Sequence, residues 1–123
     1  MTTTTQLGKI SEQAAETFLS QQGLRCIERN FRCKQGEIDL ICLTTDQTLV
    51  IVEVRQRGRT GFASAAESIT WRKQQRIIHA TRYFLMSHPH YQHCNLRFDV
   101  VLFDQRDPCP HWICSAFDAS SAY

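Results

Sequence analysis

Two carboxylates stand in neighbouring strand-like segments of the chain and could together hold a divalent cation. Asp39 lies in the segment 37–43 and Glu53 in the segment 49–55, both rich in branched apolar residues. If the segments pair as a hairpin, Asp39 faces Glu53 with about 4.5–5.5 Å between their Cβ atoms. Facing carboxylates repel, and Mg²⁺ or Mn²⁺ neutralises such oxygen-rich sites well. We therefore predict a Mg²⁺ or Mn²⁺ site at Asp39 and Glu53; the alternative is that these acids only pair with an arginine such as Arg55.

The alternation of side chains along a strand determines which residues share a face with the two acids. Glu37 and Arg55 are expected on that face, because each lies two residues from one of the acids. The opposite face is apolar and can be buried against a helix; it consists of Ile38, Leu40, Cys42, Val50, Val52 and Val54. A register error of one residue would separate the acids.

Basic residues concentrate in the middle of the chain. Positions 25–82 hold eleven Lys or Arg and six Asp or Glu, and arginine outnumbers lysine eleven to three overall. Since arginine binds phosphate in a bidentate manner, this pattern favours nucleic acid as a partner, the alternative being a solvated mixed surface. The candidate nucleic-acid contacts are Arg57, Arg59, Arg72, Lys73 and Arg76. Trp71 could stack on a base or pack in the core.

Hydrophobic periodicity and turn residues predict the elements that position these groups. We expect helices over 6–22 and from Thr70 to about residue 87, and strands over 24–32, 37–43, 49–55, 96–103 and 111–117. The glycine-containing segment 56–68 is interpreted as a basic loop. The predicted order is αβββαββ in a single domain, 1–123, with flexible tails at 1–5 and 118–123.

Composition excludes several protein classes. A chain of 123 residues with 42% hydrophobic residues, 21% charged residues and a net charge of +2 has the composition of a globular domain rather than a disordered one. No apolar run approaches the ~20 residues of a membrane span, and the N-terminus does not have the pattern of a secretory signal. We therefore expect a soluble, cytoplasmic protein with no membrane partner.

The cysteines and histidines give a weaker signal. Without a secretory signal, the six cysteines are not expected to form a disulfide framework, and the absence of a C-x-x-C pair argues against a zinc site. Reduced and mostly buried thiols are therefore expected. His88, His90 and His93 beside Cys94 are a second, weaker metal-ligand candidate, the alternative being a polar surface loop.

Several sequence blocks carry a family resemblance over about residues 7–103. They are Arg29-Asn-Phe-Arg32, Gly36-Glu-Ile-Asp-Leu-Ile41, Val52-Glu-Val-Arg-Gln-Arg57, Lys73-Gln74 and Arg97-Phe-Asp-Val-Val101. Together they resemble the YraN-type family of small bacterial proteins. That family is similar to the restriction-endonuclease-like PD-(D/E)XK superfamily, which includes the archaeal Holliday-junction resolvases. The resemblance implies an α/β fold with an αβββαβ core, a central mixed sheet flanked by helices.

The resemblance also implies catalytic roles. Glu12 matches a helix-1 glutamate, Asp39 the metal-binding aspartate and Glu53 the acid of the E-x-K element, while Arg55 stands where that element has lysine. A guanidinium cannot act as a base, although it can bind phosphate. Lys73 could substitute if its ammonium reaches the acids; the alternative is a solvated or DNA-phosphate contact. Glu12 could equally be an exposed helix charge.

These implications define the expected function and its alternatives. We expect an endonuclease-like protein that binds branched or structured DNA, with metal-dependent phosphodiester hydrolysis as the implied reaction and a homodimer implied by the likeness to resolvases. If the site lacks only its lysine, Arg55→Lys should raise any cleavage rate. The alternatives are a non-catalytic nucleic-acid-binding module and a protein-interaction domain whose acids are only structural.

Overall fold

A computed structural model describes residues 4–56, 69–104 and 107–119, with the backbone alone described at 4–9 and 107–108. The predicted contacts Arg57 and Arg59 therefore lie outside the described residues, as do nearly all of the predicted loop and most of both tails.

The described residues form one five-stranded mixed sheet with two helices. The elements are α1 (Thr4–Gln21), β1 (Arg25–Cys33), β2 (Gly36–Leu43), β3 (Thr48–Gln56), α2 (Trp71–Ser87), a 3-10 turn (Pro89–Tyr91), β4 (Asn95–Asp104) and β5 (Asp107–Phe117). The strands lie in chain order, with β3 and β4 parallel and the other neighbours antiparallel. This arrangement confirms the predicted α/β class and the αβββαβ core, which β5 extends by one strand.

Local sequence signals account for the positions of several boundaries. The Oγ1 atom of Thr70 accepts a hydrogen bond from the backbone N–H of Lys73 at 3.2 Å, which starts α2 where the predicted cap stands. Gly23, with φ +93°, follows α1 as its left-handed terminating residue. The β2–β3 hairpin has the predicted register, with Leu43 opposite Leu49 and Ile41 opposite Ile51.

Each face of the sheet buries an apolar cluster. The cluster on the α1 side includes Ala15, Leu19, Leu40, Cys42, Val50, Val52 and Val101. The cluster on the α2 side includes Ile38, Ile41, Leu49, Ile51, Ile77, Ile78, Phe84, Phe98 and Val100. The apolar face predicted for the hairpin therefore packs under α1, with one exception.

That exception is Ile38, which was predicted to share a face with Leu40 but belongs to the α2 cluster. The alternation is interrupted at Asp39. Asn30 on β1 lies opposite Asp39 and has a left-handed φ of 51°. The pairs on either side of these two residues are regular: Arg29 with Leu40, and Phe31 with Ile38. The prediction was wrong because period-two alternation assumes an uninterrupted strand.

Trp71 is the second correction. Of the two alternatives for Trp71, packing in the core is wrong, because the residue is 59% exposed and the buried residues of α2 begin at Ile77. The first turn of α2 therefore extends beyond the apolar cluster, which no helical periodicity could reveal.

Within the part of the chain that the structure describes, neither helix has the length and apolar character of a membrane-spanning helix.

Candidate active site

The candidate site lies where the regular pairing of β2 with β3 ends. The last paired residues on this side are Leu40 and Val52, and Asp39 and Glu53 are the next residues of the two strands. Beyond that pair, an Asp39 carboxylate oxygen accepts the backbone N–H of Val54 at 2.8 Å. The aspartate thus takes the place of a ladder carbonyl, and it is held firmly beside the strand that carries Glu53.

Glu53 is almost fully buried, with 5% of the residue exposed. Burial, and then the charge of Asp39, raises the pKa of Glu53 to about 7, even though Lys73 acts in the opposite direction. The Lys73 Nζ lies 3.0 Å from the Glu53 Oε1, and the Arg55 Nε lies 3.8 Å from the same oxygen. A buried carboxylate therefore faces one close ammonium and one more distant guanidinium.

Three carboxylates lie in a row across the site. Burial raises the pKa of Asp39, partly offset by the Val54 N–H and by the charge of Lys73, and Asp39 also hydrogen-bonds with Glu53. Glu12, on α1, hydrogen-bonds with Asp39, and burial and the Asp39 charge raise its pKa. Glu12 therefore interacts with Asp39 and is only partly exposed, so it is not an isolated exposed charge.

Asn30 is a residue of this site that sequence reasoning did not single out. Its side chain hydrogen-bonds to Glu12, which stabilises the charged form of that acid. Asparagine tolerates the left-handed conformation better than most residues, and strained backbone of this kind concentrates at functional sites. The signal in the sequence was the Arg29-Asn-Phe-Arg32 block, which carried the family resemblance without an assigned role.

Lys73 reaches Glu53 because α2 packs closely against the start of β2. A Cβ atom placed on Gly36 would lie 2.6 Å from the backbone oxygen of Arg76, so only glycine allows this approach. A cavity of about 30 Å³ between the two elements is lined by Glu37, Lys73, Arg76 and Ile77. Of the predicted nucleic-acid contacts, Lys73 thus joins the acids, whereas Arg72 and Arg76 are exposed on the same helix.

Arg55 contributes a donor that is not fully used. Its Nε is buried and has no hydrogen-bond partner among the described residues, since 3.8 Å to Glu53 is too long for a hydrogen bond. An unpaired buried donor is costly, so this atom is well suited to an incoming acceptor such as a phosphate oxygen.

The donors present fit a magnesium-type cation better than a soft metal. Within residues 4–56, 69–104 and 107–119, no three His, Cys, Asp or Glu side chains are grouped to hold a metal, so the three acids do not converge on one point. Mg²⁺ is commonly held by one or two carboxylates, with water and substrate phosphates as its other ligands. Asp39 and Glu53 provide such a pair. Among the described residues, the histidines and cysteine at 88–94 do not form a group of three metal ligands either. The His88 ring stacks on Phe84, and the His90 ring lies tilted against Tyr91.

The buried glutamate predicts a pH-dependent stability of the metal-free protein. Because the pKa of Glu53 in the folded protein is about 7 rather than the ordinary 4.5, the folded state binds this proton more tightly than the unfolded chain does. Stability should therefore decrease as pH rises from about 4.5 to about 7 and stay low above it, by about 3 kcal/mol from this group. Glu53→Gln should remove this loss, so that the variant melts above the parent at about pH 8.

Thermal unfolding in a chelating buffer at several pH values measures this effect. Glu28→Gln, the same change on the edge strand β1, is the control and should keep the pH profile of the parent. A Glu53→Gln profile that follows the parent at every pH would contradict the prediction.

Comparison with known proteins identifies relatives over most of the chain. The family model described as "Uncharacterised protein family UPF0102" matches residues 11–103. A UPF0102 protein of Cupriavidus metallidurans is 46% identical over 115 residues, covering 94% of this chain and 83% of that protein. One of Dechloromonas aromatica is 46% identical over 117 residues, covering 95% and 92%. One of Pseudomonas fluorescens is 42% identical over 114 residues, covering 93% and 94%.

One solved structure has a weaker likeness. The protein described as "Crystal structure of SSO0001" matches with a TM-score of 0.44 and 13% sequence identity, over 96% of this chain and 55% of that one. A likeness of this strength assigns no fold.

Proposed function

This chain belongs to the UPF0102 family, and we propose that it is a Mg²⁺- or Mn²⁺-dependent endonuclease that hydrolyses phosphodiester bonds in branched or structured DNA. The observation that carries the proposal is the pair of Asp39, which is partly buried, and Glu53, which is buried, with the Lys73 ammonium 3.0 Å from Glu53. Perturbed, mutually interacting titratable groups of this kind are typical of catalytic sites.

Each residue has a distinct role in this proposal. Asp39 and Glu53 would hold the cation, which when bound supplies a nucleophile near neutral pH and stabilises charge at phosphorus. Lys73 orients the attacking water beside Glu53 and balances its charge. Arg55 donates its free Nε to a phosphate oxygen. Glu12 acts through its hydrogen bond with Asp39, and Asn30 holds Glu12 in position.

The basic surface next to the site supports a nucleic-acid substrate. Arg72 and Arg76 are exposed on the helix that delivers Lys73, so phosphates that contact them lie close to the acids. We propose Arg57 and Arg59 as further phosphate contacts, since they follow β3 directly. A homodimer that presents two such sites would suit a substrate cut on two strands.

Metal binding is the first test of the proposal. Calorimetry with Mn²⁺ should show binding by the parent and none by Asp39→Asn or Glu53→Gln, two changes that keep the shape of the side chain. Glu37→Gln, which changes an exposed acid near the site, is the matched control and should bind as the parent does. Equal binding by all four proteins would overturn the metal site. Cleavage of duplex, single-stranded and four-way-junction DNA then tests the reaction and the preferred substrate.

DNA affinity at several salt concentrations is the second test. Each phosphate contact removed should reduce the slope of log affinity against log salt by about one unit, so Arg72→Gln and Arg76→Gln should each do so. Arg25→Gln, an exposed arginine at the far end of β1, is the control and should leave the slope unchanged. Affinity that does not depend on salt would favour the protein-interaction alternative, and binding without cleavage would favour the non-catalytic module.

A further inference from the structure

Two cysteines face each other across the β1–β2 hairpin, on the side of the sheet that α1 covers. Cys26 and Cys42 are direct partners in the antiparallel register, and both are free thiols. Directly opposed residues of such a ladder have Cα atoms about 4.5–5.5 Å apart, inside the range that disulfides span. Both side chains belong to the apolar cluster under α1, and each thiol shifts the pKa of the other.

The two thiols differ in accessibility and in acidity. Cys42 is fully buried in the α1 cluster, whereas Cys26 is only half-buried on the edge strand β1. The interaction with Cys42 lowers the pKa of the Cys26 thiol, and burial and the charge of Glu16 offset this only in part. The same contact, together with burial, raises the pKa of Cys42. Cys26 is therefore the accessible nucleophile, and Cys42 is a protonated partner behind it.

We propose that Cys26 and Cys42 form an oxidisable dithiol, a modification site at which a hydroperoxide produces a cross-strand disulfide. The Cys26 thiolate attacks the terminal peroxide oxygen, the O–O bond breaks, and the alkoxide that leaves takes up a proton to become an alcohol, or water when the oxidant is hydrogen peroxide. Cys26 is then a sulfenic acid.

The second step uses the buried partner. The Cys42 sulfur attacks the Cys26 sulfur as its proton passes to the departing hydroxide, so the S–S bond forms, the S–O bond breaks and water leaves. In sum, two thiols and one hydroperoxide give one disulfide, one alcohol and one water, with two electrons passing from sulfur to oxygen.

The disulfide would close the hairpin that carries Asn30 and Asp39. A bond between Cys26 and Cys42 closes the loop between them and so restricts the unfolded chain. The oxidised protein should therefore melt about 10 °C higher than the reduced one. This readout does not depend on nuclease activity. In a reducing compartment, thiol exchange would reverse the modification.

The test uses the full chain, reduced and freed of reductant, then treated with hydrogen peroxide at about one equivalent per chain. The intact mass should fall by two hydrogen atoms, a Cys26–Cys42 linked peptide should appear in a non-reducing digest, and the melting temperature should rise; added thiol should reverse all three. The Cys26→Ser variant should lose the linked peptide and the increase in melting temperature. The Cys33→Ser and Cys94→Ser variants should keep both.

Three outcomes would overturn the proposal. They are an unchanged mass, oxidation of Cys26 to the sulfinic or sulfonic acid without a link, and a disulfide confined to other cysteines such as Cys109 and Cys114. Because Cys26 is half-buried rather than in the core, the serine variant should fold, so loss of the link in that variant can be assigned to the missing sulfur.

Discussion

Replacement of Lys73 by methionine is expected to reduce single-turnover cleavage of a four-way junction in Mn²⁺ by about 10²–10³-fold, the usual cost of removing one positioned electrostatic donor. Methionine keeps most of the length of the side chain but removes the ammonium that lies 3.0 Å from Glu53. The buried carboxylate then loses its close counter-charge, and the water beside it loses an orienting donor. At saturating protein, the loss should appear in the rate constant and not in DNA affinity.

Two further variants make this measurement specific. Arg72→Met removes a positive charge from the adjacent residue, so it should weaken DNA binding yet leave the saturated rate within a few-fold of the parent. Arg55→Lys tests the alternative position for the lysine. If Lys73→Met cleaves as the parent does while Arg55→Lys is faster, the lysine of the E-x-K element has no substitute on α2. If the parent itself cleaves nothing, the nuclease proposal is wrong.

Asp99→Ala is expected to destabilise the protein by about 3–5 kcal/mol, because it leaves a buried charge network without its acceptor. Asp99 has 0% exposure and accepts hydrogen bonds from the Arg97 Nε and Nη2, the Trp112 Nε1 and the Ser115 backbone N–H, each at 2.9 Å. The bonds from Trp112 and Ser115 join β4 to the edge strand β5. Removal of the Asp99 carboxylate leaves the Arg97 guanidinium, the Trp112 Nε1–H and the Ser115 N–H without their acceptor.

Urea unfolding of the parent and the variant measures this loss. Asp46→Ala is the control: its carboxylate also accepts side-chain hydrogen bonds, from Thr44 and Thr48, but in an exposed turn, so the cost should be far smaller. The double variant Arg97→Met with Asp99→Ala should recover part of the stability, because no unpaired charge remains. A cost of Asp99→Ala below about 1 kcal/mol would show that these bonds contribute little.

Features fixed by local chemistry were predictable from the sequence. The β2–β3 register follows from two branched segments separated by a short polar turn, and the start of α2 follows from the hydroxyl of Thr70. The proximity of Asp39 to Glu53 followed from that register. Each of these depends on residues close together in the chain.

Features that depend on distant contacts were not predictable. Lys73 reaches Glu53 only because Gly36 lets the two elements approach, and no pattern in α2 itself reveals that distance. The side on which Ile38 packs depends on an interruption at Asn30 and Asp39. The role of Asp99 depends on donors thirteen and sixteen residues further along the chain.

The parallel pairing of β3 with β4 has a consequence for the order in which the protein assembles. The acids belong to a hairpin whose partners are close in sequence, whereas Thr48 pairs with Asn95 only after the chain has passed through α2. Local pairings close fast and non-local parallel ones close slowly. During synthesis and refolding the two carboxylates can thus remain hydrated until the crossover helix docks, and the step that buries them also delivers the ammonium. We therefore expect that the two acids are not buried before the Lys73 ammonium reaches them.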